Sequence, residues 1–133
     1  MSQMVATVKS IVNYEQINIV EFELQGFTLK MMSLDLNEKV QVGKRVQVGV
    51  KPSNIALAKD LTGELSFSNQ LKATIENIDN GELLSSITLK IGESILESII
   101  TKSSSKRMKL EKNENIIVLI KASDVSIMEV LND

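Results

Sequence analysis

The chain has 133 residues, 15 of them basic and 17 acidic, for a net charge of −2, and contains neither cysteine nor histidine. Those absences exclude a disulfide framework and a thiolate metal site, and remove both the commonest metal ligand and the usual general base. The near-balanced charge, with no basic block, is a poor footprint for duplex nucleic acid, and no apolar run approaches the roughly twenty residues of a membrane span.

Along the chain the dominant period is two, the signature of half-buried strands. Met4 to Ile11 opens the pattern. Ile17 to Leu24 alternates, closes at Gln25-Gly26 and resumes from Phe27 to Met31, which predicts a hairpin. Leu34, Leu36 and Val40 follow in a short helical or irregular crossover. Val42-Gly43-Lys44 turns into a strand that ends at Lys51. Pro52 lacks the N–H that a central strand needs, so a turn follows at once. Ile55 to Ala58 is expected as the last strand of this half, and Lys59 to Leu65, with Gly63 inside it, as a linker.

The second half repeats the plan. Leu71 to Ile78 reads as a strand, Asp79-Asn80-Gly81 as a turn, and Ile87 to Ile91 and Ile95 to Thr101 as a further pair. Ser103 to Met108 reads as a short helical turn with serine at its cap. The β-branched run from Asn115 to Lys121 and the segment from Val125 to Val130 close the half. The six methionines are expected to fill core gaps.

Two anchors place these halves in register. Val46 to Ile55, with Lys51-Pro52-Ser53, matches Ile116 to Val125, with Lys121-Ala122-Ser123, at an offset of 70 residues. Met4 to Ile11 matches Leu71 to Ile78 at an offset of 67, so the second half gains three residues in between. The chain is therefore predicted to be all-β: two tandem OB-like five-stranded barrels, each with one short helix, over residues 1–60 and 61–133.

Three polar clusters sit at element ends. They are Ser66-Phe67-Ser68-Asn69, Thr101-Lys102-Ser103-Ser104, and Lys121-Ala122-Ser123. Ammonium, hydroxyl and turn amides suit an oxyanion better than a metal cation or an apolar ligand. Each alone is also what a solvated turn or a helix cap looks like. A catalytic reading fails on inventory: there is no Ser/His/Asp or Cys/His set, no glycine-rich phosphate loop, and no carboxylate pair on a common face. Stacking on single-stranded nucleic acid would rest on Tyr14, Phe22, Phe27 and Phe67 alone, too few for that use.

Ser66 to Lys72 resembles the Ser-x-Arg-Asn-x-Leu-x-Gly opening of Mop (molybdopterin-binding-protein-like) domains, the molybdate-binding members of the TOBE class. Ile100-Thr101 with Ser104, and Val118 to Val125, resemble that family's Ile-Thr-x-x-Ser and Ile-Lys-Ala-Ser-x-Val segments. Val48 to Leu57 is similar to the TOBE tail of transporter ATPases as much as to Mop, so the whole resembles a di-Mop protein. The resemblance implies bound molybdate or tungstate, with the opening segment of one subunit meeting the threonine, serine and lysine of another. Carried over, the oxyanion donors are Ser66, Thr101, Ser104 and Lys121. Asn69 and the Ala122-Ser123 backbone support them, and Ser68 stands where the family has arginine. Lys51 and Ser53 are the remnant of a second site, since Ser2 aligns with Asn69 and nothing supplies an opening serine.

The expected function is cytoplasmic binding of molybdate or tungstate for storage or homeostasis, without catalysis. The alternatives are a regulatory TOBE module of a molybdate transport or transcription system, and a structural barrel with a decayed site. No signal peptide opens at Met1-Ser2-Gln3, which is the basis of the compartment. Halves of about 65 residues bury little surface alone, so a homo-oligomer is expected, a trimer in preference to a dimer.

Overall fold

A computed structural model describes residues 2–131; Met1 of the first expected module and the last two residues of the second lie outside it. Ten strands run in chain order: β1 (Ser2–Tyr14), β2 (Ile17–Leu24), β3 (Phe27–Ser33), β4 (Arg45–Val50), β5 (Ala56–Ala58), β6 (Asn69–Asn80), β7 (Leu84–Ile91), β8 (Ser94–Thr101), β9 (Asn115–Ile120) and β10 (Ser126–Val130). Between β8 and β9 lies one short α-helix, α1 (Lys102–Arg107), and a 3-10 turn follows each of β4 and β9, at Pro52–Asn54 and Ala122–Asp124. Among the described residues no helix is long and apolar enough to cross a membrane.

The alternation read from sequence becomes an inward row on every strand. Met4, Ala6 and Val8 on β1 correspond to Leu71, Ala73 and Ile75 on β6, and all six are buried. Val46, Val48 and Val50 on β4 correspond in the same way to Ile116, Val118 and Ile120 on β9. The long first strand of each half carries a register shift at the equivalent place, between Val8 and Ser10 and between Ile75 and Asn77. Such a bulge bends the strand and lets the sheet curl into a barrel wall. Beyond the shift Asn80 still pairs, with Ser85, so β6 runs on through the turn expected at Asp79-Asn80 and the reversal falls after it.

The sheets do not follow the halves at their last strands. One sheet has the order β10-β4-β1-β2-β3 and the other β5-β9-β6-β7-β8. Ile55–Ala58, expected to finish the first half, instead sends Ala56, Leu57 and Ala58 to pair with Leu119, Val118 and Ile117. Reciprocally, Ser126 and Ile127 of β10 pair with Gly49 and Val48 of β4. Each half thus lends one strand to the other, and the buried residues of both form a single cluster. That is the physical answer to halves too small to bury a core alone.

The helical content is unequal. The first crossover, between β3 and β4, contains no helix, and among the described residues the only helical turn of the first half is at Pro52–Asn54. The second crossover holds the three extra residues, and α1 is there. Its N-cap is Thr101 rather than a serine: the Thr101 hydroxyl accepts from Ser104 N at 3.2 Å. Leu34 stands where Thr101 would align and has no side chain with which to cap a helix.

Two buried polar residues join the sheets. The Asn69 carboxamide accepts from Lys30 N at 2.7 Å and donates to Lys30 O at 2.9 Å. The Ser2 hydroxyl, 67 positions earlier, accepts from Glu97 N at 2.8 Å and donates to Glu97 O at 3.1 Å. Lys30 and Glu97 are themselves 67 apart, on β3 and β8, the edge strands of the two sheets. The first residue of each half's leading strand therefore satisfies backbone groups on the other half's edge strand, which would otherwise be open to strand addition.

Candidate oxyanion site

The two lysine turns have the same backbone. Lys51 has φ −66° and ψ 134°, Lys121 φ −69° and ψ 143°. Asn54 N donates to Lys51 O at 2.9 Å, and Asp124 N donates to Lys121 O at 3.0 Å. Both lysines are solvent-exposed, as are Ser53 and Ser123. The turns differ in what they pack on: Pro52–Asn54 lies against β8, and Ala122–Asp124 against β3.

Of the predicted donors, the opening segment and the Lys121 turn come together. Asn69 pairs with Ile120 in the antiparallel ladder between β6 and β9, so Ser68 and Lys121 are the residues immediately beyond that pair. Ser66 and Ser68 are exposed. Their path is held by Gln70, whose Nε2 donates to Phe67 O at 2.9 Å and Leu65 O at 3.4 Å. Asn69 is 1% exposed and its carboxamide is engaged with Lys30, which makes it a brace for the site rather than a free donor.

Thr101 and Ser104 lie elsewhere. Thr101 pairs with Leu84 on β7, beside the far end of β6 from Asn69. A strand rises about 3.3 Å per residue, so the twelve residues of β6 keep the two clusters at opposite ends of the barrel wall. At its own end the hydroxyl cluster is tight. Thr101 Oγ1 donates to Ser104 Oγ at 2.9 Å and stands 3.3 Å from Ser103 Oγ. Arg107 Nη2 donates to the same Ser104 Oγ at 3.3 Å. Ser105, buried, ties α1 back to Asn80 of β6 at 3.3 Å, and Ser85 donates to the same carboxamide oxygen.

Arg107 was not among the residues singled out from sequence. Its signal was available: three positions after Ser104 on a helix, two side chains share a face. The resemblance implied that threonine and lysine share a subunit's side of the site. Within one chain the lysine stands instead with the opening segment, and the hydroxyls stand apart.

The hollows of the surface sort the same way. A groove of about 500 Å³ at the α1 end is lined by Thr101, Lys102, Ser103 and Lys106 with Leu83, Leu84 and the acidic Glu82. Another of about 430 Å³ places Ser123 against Ser33, Asp35 and the apolar Met31 and Val125. A third, about 630 Å³, lies on Lys72, Lys90, Thr74 and Asn115 and contains none of the predicted donors. Among the described residues no group of three or more acidic side chains is arranged to hold a metal ion.

The similarities to known proteins follow this geometry. Residues 65–127 match the TOBE domain family. Over 110 residues, 83% of the chain, it is 30% identical to the molybdate/tungstate import ATP-binding protein WtpC of Pyrococcus horikoshii. The identity is 26% over 110 residues to WtpC of Pyrococcus abyssi. The chain spans about a third, 32%, of the length of these curated relatives. The structure is similar to that of the cytoplasmic molybdate-binding protein ModG, in a crystal form with molybdate bound, with a TM-score of 0.85 and 26% identity over 94% of this chain and 93% of that one. With its paired barrels, its reciprocal lysine turns and a TOBE match across the second, the chain is a tandem Mop/TOBE-type protein.

Proposed function

We propose that the protein binds molybdate or tungstate in the cytoplasm, as a storage or homeostasis protein and not as an enzyme. The observation that carries this reading is the likeness to molybdate-bound ModG, which extends over 94% of the chain and so includes both modules. Binding involves no bond making. Ammonium, hydroxyl and amide donors replace the hydration shell of a tetrahedral dianion, and charge-assisted hydrogen bonds of this kind are the strong ones. Selectivity against sulfate, which has the same charge and shape, comes from pocket size.

The donors on one side are Ser66, Ser68, Lys121 and the amides of Ala122 and Ser123; on the other they are Thr101 and Ser104. Because one chain holds these groups at opposite ends of β6, the site is completed between copies. The partner is therefore a second copy of this chain, in a homo-oligomer with a trimer preferred to a dimer; neither nucleic acid nor membrane is involved. Supporting self-association, Val12, Ile19 and Met32 form a cross-strand row on the outer face of the first sheet, with Val12 63% and Met32 43% exposed. Lys51 and Ser53 are a weaker second site.

A second reading has its own observation, the 30% identity to an import ATP-binding protein more than twice as long. On that reading the paired modules sense the oxyanion for a transport system. Titration of the anion-stripped protein with molybdate, tungstate and sulfate tests the binding both readings share. Saturable binding of the first two with much weaker sulfate is expected, and no binding of either would remove both.

A further inference from the structure

We infer that Lys30 is the second cation of the Lys121 site, in place of the arginine absent at Ser68; this rests on the oxyanion reading above. Lys30 belongs to the other half, yet the Asn69 carboxamide holds its backbone at 2.7 and 2.9 Å. Asn69 follows Ser68 directly and pairs with Ile120, the residue before Lys121. The turn after Lys121 packs on β3, the strand that carries Lys30. One buried side chain thus ties the opening segment and the strand leading to the lysine turn to the backbone of the residue that carries a second ammonium.

That ammonium is available. Its neighbour is Glu21 at 3.6 Å, with the two side chains 46% and 31% exposed. A loose pair at that exposure contributes little, so an arriving dianion competes successfully for the lysine. With a second lysine on the strand against which the Lys121 turn packs, two positive charges on one face would favour a doubly charged tetrahedral ion over a monoanion.

The equivalent position in the other module has the opposite charge. Ser2 ties β8 beside the Lys51 turn through Glu97, whose carboxylate also accepts from Ser86. There the strand against which the Lys51 turn packs carries a carboxylate in place of an ammonium, a charge that repels an oxyanion. The same scaffold therefore carries a lysine on the strand beside one turn and a glutamate on the strand beside the other, and the first suits a dianion better.

The test is calorimetric titration of the full-length, anion-stripped protein with sodium molybdate at fixed ionic strength. Lys30→Met is expected to weaken binding about tenfold or more, Lys30→Arg to retain it, and Glu21→Gln to tighten it by releasing Lys30. The substitutions leave the backbone bonds to Asn69 in place, so thermal midpoints should match the wild type and separate lost binding from lost folding. Wild-type binding with Lys30→Met unchanged overturns the assignment. So does a loss confined to Arg107→Met, which would put the missing charge on the hydroxyl side. Failure of the wild type to bind any oxyanion is a different result: it overturns the oxyanion reading itself.

Discussion

The Lys51 and Lys121 turns are the same piece of backbone in two settings. Their dihedral angles agree within ten degrees and their 3-10 hydrogen bonds within about 0.1 Å. What differs is what each turn is given to work with. Lys121 is followed by Ala122, which has an amide N–H to offer; Lys51 is followed by Pro52, which has none. Asn69 and Lys30 stand beside Lys121, Ser2 and Glu97 beside Lys51. The crossover of the second half ends β8 on Thr101 and a capped helix, whereas the first reaches Leu34 and forms no helix. Duplication preserved the frame of both turns, while the side chains around them diverged.

The largest expected effect is on binding. Lys121→Met should weaken molybdate affinity by about 2–5 kcal/mol, the scale for losing one partner of a desolvated charge pair. Lys51→Met should leave the main binding isotherm unchanged. Equal losses from the two would erase the distinction between the turns, and parallel calorimetric titrations measure it.

Next comes the amide. Ala122→Pro gives the second turn the sequence of the first. Lys121 already has the extended conformation that precedes proline, so the fold should tolerate the change. Removing one amide donor to a charged ligand should cost about 1.5–3 kcal/mol of affinity. Titration and a thermal melt on the same sample separate the two effects; unaltered affinity would take the Ala122 amide out of the site.

The braces come third. Asn69→Ala strands the Lys30 N–H and carbonyl and should lower unfolding free energy by about 1–3 kcal/mol in urea titration. Ser2→Ala, at a position still 7% exposed, should do the same to a smaller extent. If both variants melt like the wild type, the edge clamps contribute nothing to stability.

The smallest effect is that of pH on the Lys59 latch. Lys59 donates to Glu114 at 2.8 Å and to Met108 O at 3.0 Å, closing the second crossover. The hydrogen bond to Glu114 raises its ammonium above the ordinary 10.5. A raised pKa means the contribution is fully present below 10.5 and declines as pH rises through the folded value. Melts from pH 9 upward should show a slight alkaline decline that Lys59→Met abolishes.

How much of this was legible beforehand depends on what each residue pattern can say. Alternation in Ile17–Leu24 and in Ile87–Ile91 names an inward face, and Val20, Phe22 and Leu24 on one strand and Ile87, Leu89 and Ile91 on the other are buried. The Lys-x-Ser repeats located two turns whose backbones agree. Alternation does not name a partner, however. Ala56-Leu57-Ala58 reads as a strand whichever sheet it joins, so the exchange of β5 and β10 was hidden. Asn69 was equally ambiguous, because a carboxamide can donate to a ligand or to a neighbouring backbone, and only the position of Lys30 across 39 residues of sequence decides. The Thr101 hydroxyl was read as a ligand donor, and in the structure it caps α1, a role that a short serine-rich stretch conceals.

The most direct test of a site divided between copies is complementation. Lys121→Met and Thr101→Val are each expected to bind molybdate poorly as pure proteins while remaining folded. Unfolded together and refolded as a mixture, they should regain a fraction of sites with wild-type affinity, because some interfaces then join an intact Thr101 from one copy to an intact Lys121 from another. A mixture that binds no better than its components, although light scattering shows mixed oligomers, would contradict the shared site.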